Sequence, residues 1–234
     1  FAMPRMNILN KSEQAMFEDP PTFNSGERKR FFNFPNAIKE KAATLRKPST
    51  QVGFLVSCGY FKATKKFFRP EDFHYNDIAY VAHSLNFEPA EFVPEQYVQS
   101  TRQWHQDFIL EFYGYRRFDK AALQIIRYET SSMMRSQLKP KLIFWRCIDT
   151  LIRERVQTPA YFQLSELILT ALNQRKQELS AVIRRQLRPE TKSLLDGLFS
   201  QETDSPYARY KLTLLKKLSQ SPKPTQIKER AADL

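Results

Sequence analysis

Glycine is scarce in this chain, with five residues in 234. A β-sandwich or barrel of that length would need more glycine for its turns, so the composition leans towards helices. Cysteine is scarcer still. Cys58 and Cys147 are the only two, far apart and outside any CxxC pair. That excludes a disulfide framework and points to two buried free thiols in a reducing compartment. The three histidines, His74, His83 and His105, never stand at metal-ligand spacing with another histidine or a cysteine. No apolar run is long enough to span a bilayer, and no signal-peptide core follows the start. The expectation is a soluble intracellular protein with no membrane partner, whose natural start is Met3, behind Phe1 and Ala2. Gly-rich phosphate loops, GxSxG and HExxH are also missing. Asp107 and Glu111, one helical turn apart with Arg102 nearby, read as a solvated face and not as a metal-binding pair. Asp149, between Arg146 and Arg153, reads as an ordinary ion-pair lattice. No catalytic residue, metal site or cofactor is expected.

What the chain does have is apolar mass and positive charge. Hydrophobic residues make up 41% and aromatics 13%, which rules out a largely disordered chain. The formal net charge is +12. Such an excess favours a polyanion, because every phosphate met by Lys or Arg releases a condensed counterion. The charge is also segregated. Between Arg28 and Arg69 the only acid is Glu40; between Pro70 and Ser100 there is no Lys or Arg, while Glu71, Asp72, Asp77, Glu88, Glu91 and Glu95 accumulate. From Arg102 the chain turns basic again. Two basic surfaces separated by an acidic spacer are the expectation, with modules over residues 1–100 and 101–234.

Helical spacing and proline breaks recur throughout, and no strand pair or internal repeat is evident. Helices are expected over 25–32, 36–47, about 50–60, 76–85, 101–113, 120–137, 139–156, 163–187, 189–199 and 207–218. Ser25, Asn76 and Asp119 stand at helix starts, and Gly114 at a helix end. Over 52–60 a buried strand competes with the helix, since Gly53 and Gly59 each cost roughly 1 kcal/mol inside a helix.

The expected DNA contacts come from both basic blocks. In the first, Arg28, Lys29, Arg30, Lys39, Lys41, Arg46 and Lys47 precede a helix that begins with Ser49, Thr50 and Gln51. Helix, short turn and a second helix with a polar N-terminus is the helix-turn-helix arrangement. Lys62, Lys65, Lys66 and Arg69 follow, interleaved with Phe61, Phe67 and Phe68. In the second block Arg102, Arg116 and Arg117 lead to a helix in which Lys120, Gln124, Arg127, Ser131 and Arg135 share one stripe, and Lys139 and Lys141 close it. Leu123, Ile126, Thr130 and Met133 form the opposite, apolar face. Lys and Arg would clamp phosphates, while Thr50, Gln51, Gln124 and Arg127 would read bases.

Gly53-Phe54-Leu55, followed by the unbroken run Cys58 to Phe68 (CGYFKATKKFF), resembles a signature of the N-terminal region of Tn-three-family replicative transposases, the TnpA type. Thr101-Arg102-Gln103-Trp104-His105 and Phe112-Tyr113-Gly114-Tyr115-Arg116-Arg117-Phe118 resemble a second segment of that family. Thr158-Pro159-Ala160-Tyr161 stands where the family has its proline-containing lead into a long helix, and Met3-Pro4-Arg5 fits its usual start. The resemblance implies sequence-specific binding of double-stranded DNA at transposon terminal inverted repeats. It also implies a bacterial cytoplasmic setting at the nucleoid. In that family strand cleavage belongs to an RNase-H-like domain far downstream, absent from these residues. A reading of another class is a helical module that dimerises or docks on the rest of the transposase, through the helix carrying Leu164, Leu167, Ile168, Leu172, Leu179 and Ile183. A nuclease is a third.

Overall fold

The computed structural model describes residues 7–135 and 139–199, with Arg135 described in its backbone alone. Among these residues the protein is all-α, and its one β feature is an isolated bridge between Arg116 and Val156. The expected helix 207–218, the Met3-Pro4-Arg5 start and the Arg135 side chain lie outside the described residues.

Helix α1 (Lys11–Glu18) begins with a capping box, in which the Asn10 side chain accepts from the Glu13 amide and the Glu13 carboxylate accepts from the Asn10 amide. Helix α2 (Ser25–Phe31) has the same device in Asn24 and Glu27, one residue ahead of the expected cap at Ser25. Helix α3 (Asn36–Ala43) stops four residues short of expectation. Pro48 causes this at a distance: it holds Lys47 extended, at φ −107 and ψ 139, and itself opens helix α4 (Pro48–Thr64). Helix α5 spans Tyr75–Ser84 and helix α6 Gln99–Tyr113. Gly114 ends α6 at φ +68, a left-handed position that glycine takes without strain. Helix α7 (Lys120–Arg135) is capped by Asp119, whose Oδ1 accepts from the Ala122 amide at 2.8 Å. Helix α8 (Pro140–Arg153), helix α9 (Tyr161–Gln186) and helix α10 (Pro189–Gly197) complete the order, two of them opened by proline at the first turn.

Helix α4 is the axis of the first half. From Val52 to Phe61 every residue is buried, and Ser49 with them. Helices α2, α3, α5 and α6 all pack on it. A helix apolar all round has no solvent face to spare. A recognition helix must present one side to the groove, and beyond its first turn α4 has no such side, so the structure does not show the expected helix-turn-helix of α3 and α4. It also decides between helix and strand over 52–60. The two glycines are there for close approach: a Cβ on Gly53 would lie 2.5 Å from Tyr97, and one on Gly59 would lie 2.2 Å from Phe32. Gly59→Ala is therefore expected to destabilise the fold by about 1–3 kcal/mol despite alanine's better helix propensity. A urea melt checks this; a midpoint at or above that of the wild type would contradict the packing account.

Two apolar clusters make the core. The first runs from Phe23 to Tyr115 and includes Phe54, Tyr60, Phe61, Ile109 and Leu110. The second gathers Ala122, Ile126, Ile143, Phe144, Leu151, Leu164 and Ile168 from α7, α8 and α9, together with Ile8 and Leu9 from the N-terminus. The cores thus do not change over at Thr101: α6 belongs with the first, and the N-terminal segment belongs with the second. The chain separates into two compact units at another place, residues 1–175 and 176–234. Both clusters lie in the first unit. In the second, Leu179, Val182, Ile183, Leu194, Leu195 and Phe199 are exposed.

His105 sits in the first half with no exposed surface, packed edge-on to Phe54. Its Nδ1 lies 2.9 Å from the Tyr97 hydroxyl, and its Nε2 has no hydrogen-bond partner among the described residues. Burial, and then the charge of Lys41, lower its pKa from 6.5 to about 4. The unfolded chain therefore binds a proton near pH 6.5 that the folded chain refuses until near pH 4. Stability is complete above that window and falls by about 2–3 kcal/mol as pH drops through it. Thermal melts between pH 7 and pH 4.5 should show a steeper loss for the wild type than for His105→Gln. Parallel curves would contradict the assignment.

Candidate nucleic-acid interface

The cations expected to meet phosphate divide into three sets: those committed to the protein's own fold, those half-engaged, and those open to solvent. The first is committed to the protein itself. Arg28 Nε lies 2.6 Å from Oδ1 of the buried Asp77, whose Oδ2 accepts from the Tyr60 hydroxyl at 2.9 Å. Lys66 is buried; its Nζ is 3.0 Å from Glu18 Oε2, donates to the Phe17 carbonyl at 2.9 Å, and stands 4.4 Å from the Phe17 ring centroid. Burial pushes the Lys66 pKa down, and Glu18 opposes the shift. Glu18 also accepts from the Tyr161 amide at the start of α9. Lys66 is therefore a tie between α1, the end of α4 and α9, and the expectation that it grips phosphate is withdrawn. Arg28 is withdrawn for the same reason.

Others are caps. Lys62 donates to the carbonyls of Arg30 and Asn33 at 2.9 and 3.1 Å, closing the end of α2. Lys65 holds the left-handed terminal position of α4 at φ 59, and its Nζ donates to the Lys62 carbonyl at 2.6 Å. Burial lowers the pKa of both lysines. Thr50 Oγ1 donates to the Lys47 carbonyl at 2.8 Å, and Gln51 Nε2 to the Leu45 carbonyl at 2.7 Å. These two were expected to read bases; in the structure their side chains donate to carbonyls left open between α3 and α4. The CGYFKATKKFF run thus supplies buried residues to the core and lysines that bond to carbonyls of the chain.

A second group is half-engaged. Arg116 pairs with Asp119 at 2.6 Å, Arg117 with Asp107 at 2.7 Å, and Lys141 with Glu13. Lys41 stands 3.9 Å from the Trp104 ring centroid, and the half-buried Arg102 has no ion pair among the described residues.

The remaining cations are open to solvent. Lys29 and Arg30 on α2, Lys39 on α3, Arg46, Lys47 and Arg69 in loops, Lys120 and Arg127 on α7, and Lys139 before α8 are exposed, with no ion-pair partner among the described residues. Helix α7, with 16 residues, is the longest of the helices that carry them. Ala122, Ile126, Thr130 and Met133 are buried on one side, while Lys120, Gln124, Arg127, Ser131 and Ser132 are exposed on the other. The one acid on this helix, Glu129, is half-buried and lies 3.7 Å from Arg153. Tyr128, 76% exposed, stands on the same outer side. It was missed because the stripe was read for polar residues alone, though 124, 128 and 131 follow each other at helical spacing.

Two clefts accompany these faces. One of about 600 Å³ brings Lys66, Arg69 and Arg117 together with Glu18, Asp19 and Asp72. Three cations and three carboxylates cancel, so this cleft offers no net attraction to a phosphate backbone. The other, about 680 Å³, runs between α7 and α9, with Leu123, Leu167 and Ala171 along it and with Arg127 and the exposed Glu166 both lining it. Both cysteines are buried free thiols. No group of three or more His, Cys, Asp and Glu among the described residues is placed to hold a metal ion. No helix among them is long and apolar enough to cross a membrane.

A family model matches residues 8–171, from the first buried residue of the second cluster to the outer turns of α9. The chain belongs to the DUF4158 family. That family is described as a domain of unknown function. Its match falls within the first compact unit, so both apolar clusters and the outward face of α7 are features of the DUF4158 region. A search of curated proteins found no match.

Proposed function

We propose that the chain binds double-stranded DNA sequence-specifically at transposon terminal inverted repeats, as the N-terminal part of a replicative transposase. The observation that carries this reading is the set of exposed cations without ion pairs among the described residues, above all Lys120 and Arg127 on an outer side of α7 to which the helix itself contributes no exposed acid, with Glu166 of α9 the carboxylate that lines the cleft beside Arg127. A globular protein normally intersperses its surface charges; a face on which cations outnumber acids attracts a polyanion. The address, a transposon end, rests on the resemblance of the Gly53–Phe68 and Thr101–Phe118 segments to Tn-three-family transposases. Strand cleavage in this reading belongs to a domain outside these residues, and the setting is the bacterial nucleoid.

Hydroxyl-radical footprinting of the full chain on a fragment carrying the transposon end tests the proposal. Protection confined to the terminal repeat is expected, and it should fade steeply between 50 and 200 mM salt, on the order of 1000-fold in affinity if about six phosphates are met. Uniform protection along the fragment would contradict it.

One observation favours a second reading. The exposed Leu179, Val182 and Ile183 on α9 and Leu194, Leu195 and Phe199 at α10 would suit docking or dimerisation. Light scattering discriminates: a stable dimer whose mass ignores added DNA supports a docking module with only non-specific DNA affinity.

A further inference from the structure

We infer that α7 is the element that enters the major groove, and that Tyr128 determines specificity there beside Gln124 and Arg127. The inference rests on the DNA-binding reading and adds to it the base-reading helix. Helix α4 is excluded by its burial, and its polar start is spent on the carbonyls of Leu45 and Lys47. Helix α2 is only 7 residues long and α3 only 8. Helix α7 has 16 residues and one fully packed side.

Its outer side has the layout that a groove requires. Gln124, Arg127 and Tyr128 occupy one turn, at i, i+3 and i+4, with Lys120 a turn before and Ser131 a turn after. From Lys120 to Ser131 the helix rises about 16 Å, against a major groove about 12 Å wide. An obliquely seated helix of that reach sets its outer residues against the two phosphate walls and its middle turn over the base edges. Gln124 then offers the paired donor and acceptor that suit adenine, and Arg127 the fork that suits guanine N7 and O6. Tyr128 is 76% exposed, with no hydrogen-bond or ring partner among the described residues. Its ring, beside these two side chains, meets a thymine methyl in apolar contact, an apolar base feature that the polar ends of neither neighbour recognise.

Selection by the full chain from duplexes with a randomised centre tests this, with each variant carried through the same rounds. The wild type should enrich one motif. Arg127→Ala and Tyr128→Ala should each lose preference at neighbouring positions of that motif, by about 5- to 150-fold against the best base. Tyr128→Phe should keep the wild-type motif, because it retains the ring. Lys29→Ala with Lys39→Ala should weaken binding to every sequence alike. A motif unchanged in Arg127→Ala and Tyr128→Ala would overturn the role of α7 and leave the DNA-binding proposal standing. No motif for the wild type would overturn the sequence-specific reading itself, and the inference with it. All these side chains are exposed, and a thermal melt of each variant verifies the fold.

Discussion

Asp77→Ala should be the most damaging single substitution in the first half of the protein, costing about 3–5 kcal/mol. Asp77 has no exposed surface and holds two partners from other elements, Arg28 at 2.6 Å and the Tyr60 hydroxyl at 2.9 Å. The Tyr60 hydroxyl in turn accepts from the His74 amide at 3.1 Å. Alanine removes the carboxylate and leaves a largely buried guanidinium without its counter-charge, which costs more than the pair is worth to folding. Burial already pushes the Tyr60 phenol pKa well up, so tyrosinate cannot take over as the anion. Asp77→Asn should fall between alanine and the wild type, since an amide oxygen still accepts but carries no charge. Urea unfolding followed by far-UV circular dichroism measures both. A midpoint for Asp77→Ala within experimental error of the wild type would refute the keystone role, and with it the reason for removing Arg28 from the DNA contacts.

Reversing charge on α7 should produce the largest loss of DNA affinity. Lys120→Glu with Arg127→Glu places two acids on an outer side of α7 that has no exposed acid of its own, and the expected loss is on the order of 100- to 1000-fold at moderate salt. Folding should be untouched, because both side chains are exposed and unpaired among the described residues. Lys66→Met offers the opposite pattern. It breaks the ties to Glu18 and the Phe17 carbonyl and should lower the melting temperature while leaving affinity near that of the wild type. Fluorescence anisotropy on one labelled duplex, beside thermal melts of the same preparations, separates the two classes. If Lys66→Met lost affinity and the α7 reversal did not, the division between structural and exposed cations would be wrong.

That division also shows how far the sequence could be read. Helix positions were largely legible, since Pro48, Pro140 and Pro189 open helices and Gly114 closes one. Each of these signals acts within a turn of itself. The premature end of α3 was legible only with attention to Pro48, which forbids a helical Lys47. The expected helix-turn-helix, which the structure does not show, came from weighing the polar Ser49, Thr50 and Gln51 and overlooking the ten positions after them. Val52 to Phe61 offer no polar stripe, and such a helix must be central. Partners distant in sequence were the real blind spot. Arg28 and Asp77 are separated by 49 residues, and Lys66 meets the Phe17 carbonyl across the same distance of 49. Local spacing therefore presented both cations as free, and only the packed fold assigns them partners. The α7 stripe was legible because its logic is local: a buried face at 122, 126, 130 and 133 leaves the other side to solvent. The N-terminal Ile8 and Leu9 joining the second cluster could not be foreseen, because nothing in an isolated apolar pair says which core it completes.

The measurement that bears most directly on the proposed function is a pair of equilibrium titrations at one fixed, near-physiological salt concentration. The full chain is titrated into a duplex carrying the terminal inverted repeat of the transposon that encodes it, and into a shuffled duplex of equal length and composition. The account predicts that the repeat binds more tightly by on the order of 1000-fold or more, with log affinity falling linearly with log salt for both duplexes. Equal affinities for the two duplexes at that salt would contradict it.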